Sequence, residues 1–300
     1  MKCLTLMYHY VRPTNYNKIN VNHLDFKKFQ TQLNTLERKK IKFLDEEILN
    51  EILINKKKIK QKLCWLTFDD GYHEHYEFVF PELASRKICG FFFPSASSIQ
   101  NKSLLDVNKI HIILSNKKNV KFIIEAIKNH LNDDQLFDKY WREIEKHKTL
   151  DKSDIRFVKH FFQYKISNSL LLDKLIQKLS NNTVSELSKK YYLNFKQIKE
   201  MKNEGMIFGG HGYHHKWLGN ISYDQQLKEI KQTKKFLKKI KTNLNSLIMC
   251  YPHGSYNNDT IKILKKEKFL CALKYNGGIN NFKNRFELNR IDIKDFKKYL

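Results

Sequence analysis

The stretch Cys64-Trp-Leu-Thr-Phe-Asp-Asp-Gly-Tyr72 constrains this chain more than any other. Its opening run, Cys64–Phe68, is apolar or β-prone with no polar alternation, the pattern of a strand buried on both faces of a parallel sheet. Two carboxylates, Asp69 and Asp70, stand where that strand should end, and Gly71 permits a sharp turn away from it. In parallel α/β folds the carboxyl ends of the strands converge on one mouth, where chemistry collects. Adjacent like charges repel, so a cation or a shared proton belongs nearby. Taken alone, Asp-Asp-Gly is also a common polar turn.

A second stretch shifts that balance. Met206-Ile-Phe-Gly-Gly-His211-Gly-Tyr-His214-His215 again runs from an apolar strand into a glycine-loosened turn, and three histidines follow. Neutral imidazoles with one carboxylate make a catalytic metal set that leaves a position open for water. His211 and His215 are four residues apart, which lets both reach one ion, with His214 as the alternative ligand. A lone histidine is more often structural or exposed. Three within five residues, beyond a strand and paired with a strand-end Asp-Asp, carry more.

Thr67-Phe-Asp-Asp-Gly71 resembles the first motif of the polysaccharide deacetylases, the NodB-like carbohydrate esterases of family 4, which remove N-acetyl groups from sugars. His211-x-x-x-His215 is similar to their second motif, and Cys250-Tyr-Pro-His-Gly-Ser-Tyr256 resembles their third. The opening Leu4-Thr-Leu-Met-Tyr-His9-Tyr-Val resembles the first strand of one branch of the family. The resemblance covers about residues 1–100 and 195–300 and implies a distorted (β/α)7-type barrel of the α/β class.

The chemistry of amide hydrolysis needs an activated water, a polarised carbonyl and a proton for the leaving amine. A divalent ion, most simply Zn2+, held by Asp70, His211 and His215 would meet the first two needs. Asp69 is then left to act as general base. The resemblance implies the same roles for these four residues. It also implies that His9 is the general acid, since no late Leu-x-x-His histidine follows His253; a structural histidine at a strand end is the alternative. Cys250 stands where many relatives carry the arginine that orients the base. Arg290 is therefore the expected partner of Asp69, against the plainer reading of a surface ion pair. Tyr251, His253 and Gly254 are the expected substrate and oxyanion contacts, through backbone N–H groups around His253 and Gly254.

Along the chain, strand and helix signals alternate from Leu4 to Phe93, the βαβ pattern. Asp25 is placed to cap a helix running to about Glu37, and Tyr76–Ser85 is read as a helix. Between residues 103 and 194 glycine is absent and Leu, Ile and Phe recur at helical spacing, as in Val120–Leu131 and Leu170–Leu179. This segment is read as an inserted helical region, dividing a catalytic domain over 1–102 and 195–300. Asp106, His111, His130, His147 and His160 fall inside it, and its histidines are read as surface or packing residues, with His111 set apart by its place near the entry. Arg285–Ile293 is read as the last strand.

The net charge of +25 raises the question of nucleic acid, but only seven of the 56 basic residues are Arg. Phosphate and base recognition favours the planar bidentate Arg, whereas Lys spreads over solvated surfaces. No specific nucleic acid is expected as a partner. The basic run Lys228–Lys241 has Leu227, Ile230, Phe236, Leu237 and Ile240 at helical spacing and reads as an amphipathic helix with a solvated face; contact with an anionic membrane surface or a phosphorylated substrate is the alternative. The five cysteines have no paired spacing, which with the lack of a signal-like start points to reduced thiols and a cytoplasmic setting, at most peripheral to the inner membrane face.

The function expected from all this is metal-dependent deacetylation of an N-acetylated sugar or oligosaccharide, such as a cell-surface polysaccharide or a sugar-nucleotide or lipid-linked precursor. A non-catalytic basic binding module that keeps the fold, and a related amide hydrolase or deformylase, are the alternatives. No organic cofactor is expected.

Overall fold

The computed structural model describes residues 2–16, 22–145, 151–165, 169–180 and 182–300. The chain divides into two compact units: residues 2–16, 23–102 and 189–300 form one, and 103–188 belong to the other.

The first unit is built on parallel strands. β1 (Lys2–Tyr8) pairs along its whole length with β2 (Lys62–Asp70), from Lys2 opposite Lys62 to Tyr8 opposite Phe68. β2 in turn pairs with β3 (Phe91–Pro94), and β3 with β4 (Ile207–Phe208). A parallel bridge from Gly210 to Met249 carries the path to β5 (Ile248–Cys250), which pairs with β6 (Cys271–Leu273). A bridge from Leu273 to Leu288 then leads to β7 (Ile291–Asp292), which pairs with β1. The path returns to its start, as a seven-stranded parallel barrel requires; two of its links, β4 to β5 and β6 to β7, are single bridges, which is the distortion. This is the (β/α)7-type α/β architecture expected.

The barrel closes over large side chains because β2 is buried on both faces from Leu63 to Asp70. Phe68 stacks on Tyr8 and Phe92 at 5.0 and 4.8 Å, while Trp65 packs edge-on against Phe91 at 5.2 Å. Each such burial contributes about 1.5–3 kcal/mol, so the strand that ends in the two aspartates is firmly seated. Four of the five cysteines lie buried in β1, β2, β5 and β6, and Cys89 is half-buried; all are free thiols.

Two elements differ from expectation. The helix read over Tyr76–Ser85 starts as a π-turn, His75–Val79, before the α-helix Phe80–Ser85. Pro81 has no N–H to give the preceding turn, so the Phe80 N–H bonds the His75 carbonyl instead and the turn widens. The strand read over Arg285–Ile293 shrinks to Ile291–Asp292, because the Glu287 N–H turns back to the Asn284 carbonyl. Asp25 caps Phe26–Arg38 by accepting from the Lys27 N–H, as its position suggested.

The second unit is helical over its described residues, with Asp106–Leu114, Val120–Leu131, Asp134–Glu145, Ser153–His160 and Ser169–Ser180. Phe157, Phe161, Ile113, Ile123 and Ile176 form its interior. Lys109 is buried there between Asp106 and Asp173, at 3.1 and 2.7 Å. His130 is exposed, His111 half-buried, and His160 lies 3.7 Å from Glu143; His147 falls outside the described residues. Among the described residues no helix is long and apolar enough to cross a membrane.

Candidate active site and metal set

β2 delivers Asp69 and Asp70 opposite Phe93 and Pro94, at the carboxyl end of the barrel. Asp70 adopts φ +67° and Gly71 φ +71°, so the chain turns left-handed directly after the strand. A Cβ on Gly71 would fall 2.5 Å from Pro94 Cβ, which excludes a side chain there. The turn splits the two carboxylates between different partners.

Asp70 faces the histidines. Its Oδ1 lies 3.5 Å from His211 Nε2 and 3.3 Å from His215 Nε2, and the two Nε2 atoms are 3.2 Å apart. Its Oδ2 accepts from the Tyr72 hydroxyl at 2.7 Å. His211 Nδ1 is 2.9 Å from the Cys250 carbonyl, a contact it can make only as the donor, so the tautomer of the neutral ring has its lone pair on Nε2, facing Asp70. Burial, then the neighbouring His211, pushes His215 well below the ordinary histidine range and keeps it neutral.

Asp69 faces the other way. Its Oδ1 accepts from Arg290 Nη1 at 2.7 Å, and its Oδ2 lies 3.7 Å from His9 Nε2 and 4.0 Å from His211 Nε2. Burial would raise this carboxyl, but Arg290, with His211 and His9, overrides it and holds Asp69 below the usual carboxylate range. Arg290 is itself fully enclosed and immediately precedes β7. His9, one residue past β1, has a side chain 42% exposed, the most open of this group.

The donor set fits a divalent cation. Asp70 Oδ1 is buried without a hydrogen-bond partner, and two imidazole nitrogens converge on it. Such a buried anionic oxygen is costly unless a cation meets it. Asp69, His211 and Cys250 form a second group of suitable spacing among the described residues. There Asp69 is already held by Arg290, and burial keeps the Cys250 thiol protonated, 3.5 Å from Asp69 Oδ1. The Asp70 set is therefore the better one. None of the described histidines of the helical unit belongs to either group.

His214 does not join the Asp70 set: its Nδ1 pairs with Glu229 at 2.5 Å and its side chain is 45% exposed. Tyr251 corrects an expectation. Its hydroxyl donates to the Phe286 carbonyl at 2.9 Å and its N–H to the Leu273 carbonyl at 3.0 Å, so both donors are already used in packing the barrel. The Gly254 N–H is likewise given to the Tyr251 carbonyl at 2.9 Å. His253 stays at the site, at φ +55°, its ring 4.4 Å from His215 and stacked 4.2 Å from Trp217.

Three residues of this neighbourhood escaped the sequence reading. Tyr72 holds Asp70. His75, fully buried, is 2.6 Å from the His9 carbonyl, and burial lowers it to about 4, so a neutral ring donates from Nε2. Glu229 accepts from the histidine turn. Only Glu229 had a legible signal, an acid on the inward stripe of a lysine-rich helix.

A family model described as polysaccharide deacetylase matches residues 135–271, just under half of the chain, including His211, His215 and Cys250–Gly254. Among solved structures the chain is similar to a Streptococcus pyogenes deacetylase, PplD, in complex with acetate, at 21% identity and TM-score 0.62 over 98% of this chain and 92% of that one. It is also similar to IcaB from Ammonifex degensii, at 16% identity and TM-score 0.62 over 99% and 95% of the two chains. A de-N-acetylase from Aggregatibacter actinomycetemcomitans aligns over 100% of both chains at 13% identity and TM-score 0.61. No curated protein matches. The family match over that segment and the shared fold make this chain similar to the polysaccharide deacetylases. That class consists of hydrolases acting on the amide bonds of acetylated polysaccharide.

Proposed function

We propose that the chain is a metal-dependent N-deacetylase that hydrolyses the acetamido group of an N-acetylated sugar to a free amine and acetate. The observation that carries this reading is the division of labour at the end of β2: Asp70 Oδ1 meets two imidazole nitrogens, while Asp69 is turned away to Arg290. Asp70, His211 and His215 would hold the ion, and one carboxylate with two imidazoles suits Zn2+. When bound, such an ion lowers the pKa of a water and polarises the scissile carbonyl.

The remaining steps belong to the chain. Asp69, ionised by its pairing with Arg290, accepts the proton of the attacking water. His9, 3.7 Å from Asp69 and open to solvent, delivers a proton to the departing amine. His75 fixes the backbone that carries it. His253 and Trp217 stack beside His215 and form an aromatic wall against which a sugar ring can lie. The helical region 103–194 is, in this reading, an insertion into the catalytic domain.

The relatives named above support the class of substrate, one being a de-N-acetylase and another having been solved with acetate. The test is release of acetate and free amine from a panel of N-acetylated oligosaccharides and sugar nucleotides, with and without a chelator. Turnover that a chelator abolishes and zinc restores is expected. A metal-loaded protein that releases neither product across the panel would leave the non-catalytic reading standing instead.

A further inference from the structure

The histidine turn has a peculiar support. β4, which leads into it, is only Ile207–Phe208, so little strand pairing reaches the turn itself. Gly212 and His215 both adopt left-handed backbone, at φ +70° and +57°. For a non-glycine residue that conformation costs about 1 kcal/mol or more and persists only where surrounding contacts enforce it. What enforces it comes from two sides. The Gly212 carbonyl accepts from the Ala96 N–H at 3.2 Å, and the Tyr213 carbonyl accepts from the Ser97 N–H and the Ser95 hydroxyl, both at 2.9 Å. The N–H groups are taken from the opposite side by a single side chain. Glu229 Oε2 accepts from the Tyr213 N–H at 3.0 Å and from the His214 N–H at 2.8 Å, while Oε1 pairs with His214 Nδ1.

Glu229 is buried at 4% exposure on Tyr223–Lys239, a helix whose other charged residues are mostly lysine. A buried carboxylate in such a helix would serve no packing purpose. Burial would raise it, but the His214 hydrogen bonds and charge override that and hold it low, so it stays ionised and accepts strongly. Thr233, one turn on, donates its hydroxyl to the Glu229 carbonyl at 2.8 Å, anchoring the residue on the helix.

Resting on the metal reading above, we infer that Glu229 is a positioning residue for the metal set: it clamps the 213–214 peptides so that His211 and His215 converge on Asp70. The effect acts through the backbone N–H groups. The exposed imidazole of His214 is secondary.

The experiment measures affinity for Zn2+ on the folded metal-free protein by chelator competition, alongside amide hydrogen exchange at Tyr213 and His214. Outer-shell partners of metal ligands typically account for about 10–100-fold in affinity. Glu229→Ala should therefore weaken zinc binding by about 10–100-fold, with faster exchange at both amides. Glu229→Gln keeps an acceptor oxygen without the charge that strengthens both N–H bonds, so its loss should be smaller than that of alanine but still measurable, about 3–10-fold, and it stands in if the alanine variant does not fold. His214→Ala keeps both N–H bonds and should bind zinc within about twofold of wild type, with unchanged protection. At saturating zinc, kcat of the glutamine variant should return toward wild type with KM unchanged, a recovery that general loss of structure would not show.

The clamp is wrong if Glu229→Gln and any folded Glu229→Ala bind zinc as wild type does. It is also wrong if His214→Ala weakens binding as much as the Glu229 variants. If the wild type binds no divalent ion, the metal reading fails. Amide exchange then decides the clamp by itself, since unchanged protection at Tyr213 and His214 in Glu229→Gln and any folded Glu229→Ala overturns it.

Discussion

The carboxylate turn and the histidine turn face each other across the site, yet they are built on opposite principles. Asp69 and Asp70 belong to a nine-residue strand paired on both sides, and the ladder itself sets their height and direction. His211, His214 and His215 follow a two-residue strand, and the ladder has run out before it reaches them. Pairing ends at Gly210, where His211 leans on the Cys250 carbonyl, and the turn beyond it rests on Glu229 from one helix and on Ser95, Ala96 and Ser97 from another segment. Position at the first turn is a consequence of backbone pairing; at the second it is a consequence of side chains distant in sequence. Substitutions at the carboxylate turn should therefore change chemistry while the local backbone holds. At the histidine turn they should change geometry.

The sharpest way to break this contrast is Asp70→Asn. A neutral amide is a poorer ligand for a hard cation, so metal content should fall and turnover with it, to or below the level of any other variant at this turn. Because strand pairing holds the turn, the thermal midpoint of the metal-free protein should change little. Metal content at wild-type level in that variant would sink the assignment.

Asp69→Asn should keep its metal and lose about 10²–10⁴-fold in rate, the usual contribution of a general base. Parallel measurement of bound metal and turnover separates the two aspartates. If the Asp69 variant loses metal, the two carboxylates do not divide the work as argued.

Arg290→Met comes next in size. Arg290 is the chief influence holding Asp69 low against burial, so its removal raises the Asp69 pKa. The base is then protonated at higher pH, and the acid limb of the kcat/KM profile should move upward, by about 1–3 pH units if it behaves as carboxylates that lose an adjacent cation do. Stability follows the same sign. A carboxyl depressed in the folded state stabilises above its ordinary value, 3.8, and loses that contribution as pH falls through the lower folded value. The wild type should therefore shed this stability only in strong acid. An acid limb unmoved in the variant would show that Asp69 does not limit the rate there.

The smallest effect tests the backbone side of the contrast. Gly71→Ala forces a Cβ to 2.5 Å from Pro94 at positive φ, which should destabilise by about 1–3 kcal/mol. Since the ladder holds the aspartates, zinc affinity in the folded fraction should stay close to wild type. A large loss of affinity with unchanged stability would reverse the roles assigned to the two turns.

What the sequence by itself determined was local. The apolar run Cys64–Phe68, the glycine after two aspartates and the i, i+4 histidines follow from period and residue type, and each can be read without knowing what lies beside it. The helices Val120–Leu131 and Tyr223–Lys239 lie where hydrophobic spacing puts them. Only the tertiary structure decided which partners these groups meet. Arg290 reaches Asp69 across 221 residues and His75 reaches His9 across 66, and no local pattern encodes such distances. The same holds for the losses. Tyr251 looked available in a motif, but the closing barrel committed its hydroxyl to Phe286 and its N–H to Leu273. A buried donor must be satisfied by whatever acceptor the fold brings to it, and that neighbour is a property of the closed barrel, not of the segment that carries the donor.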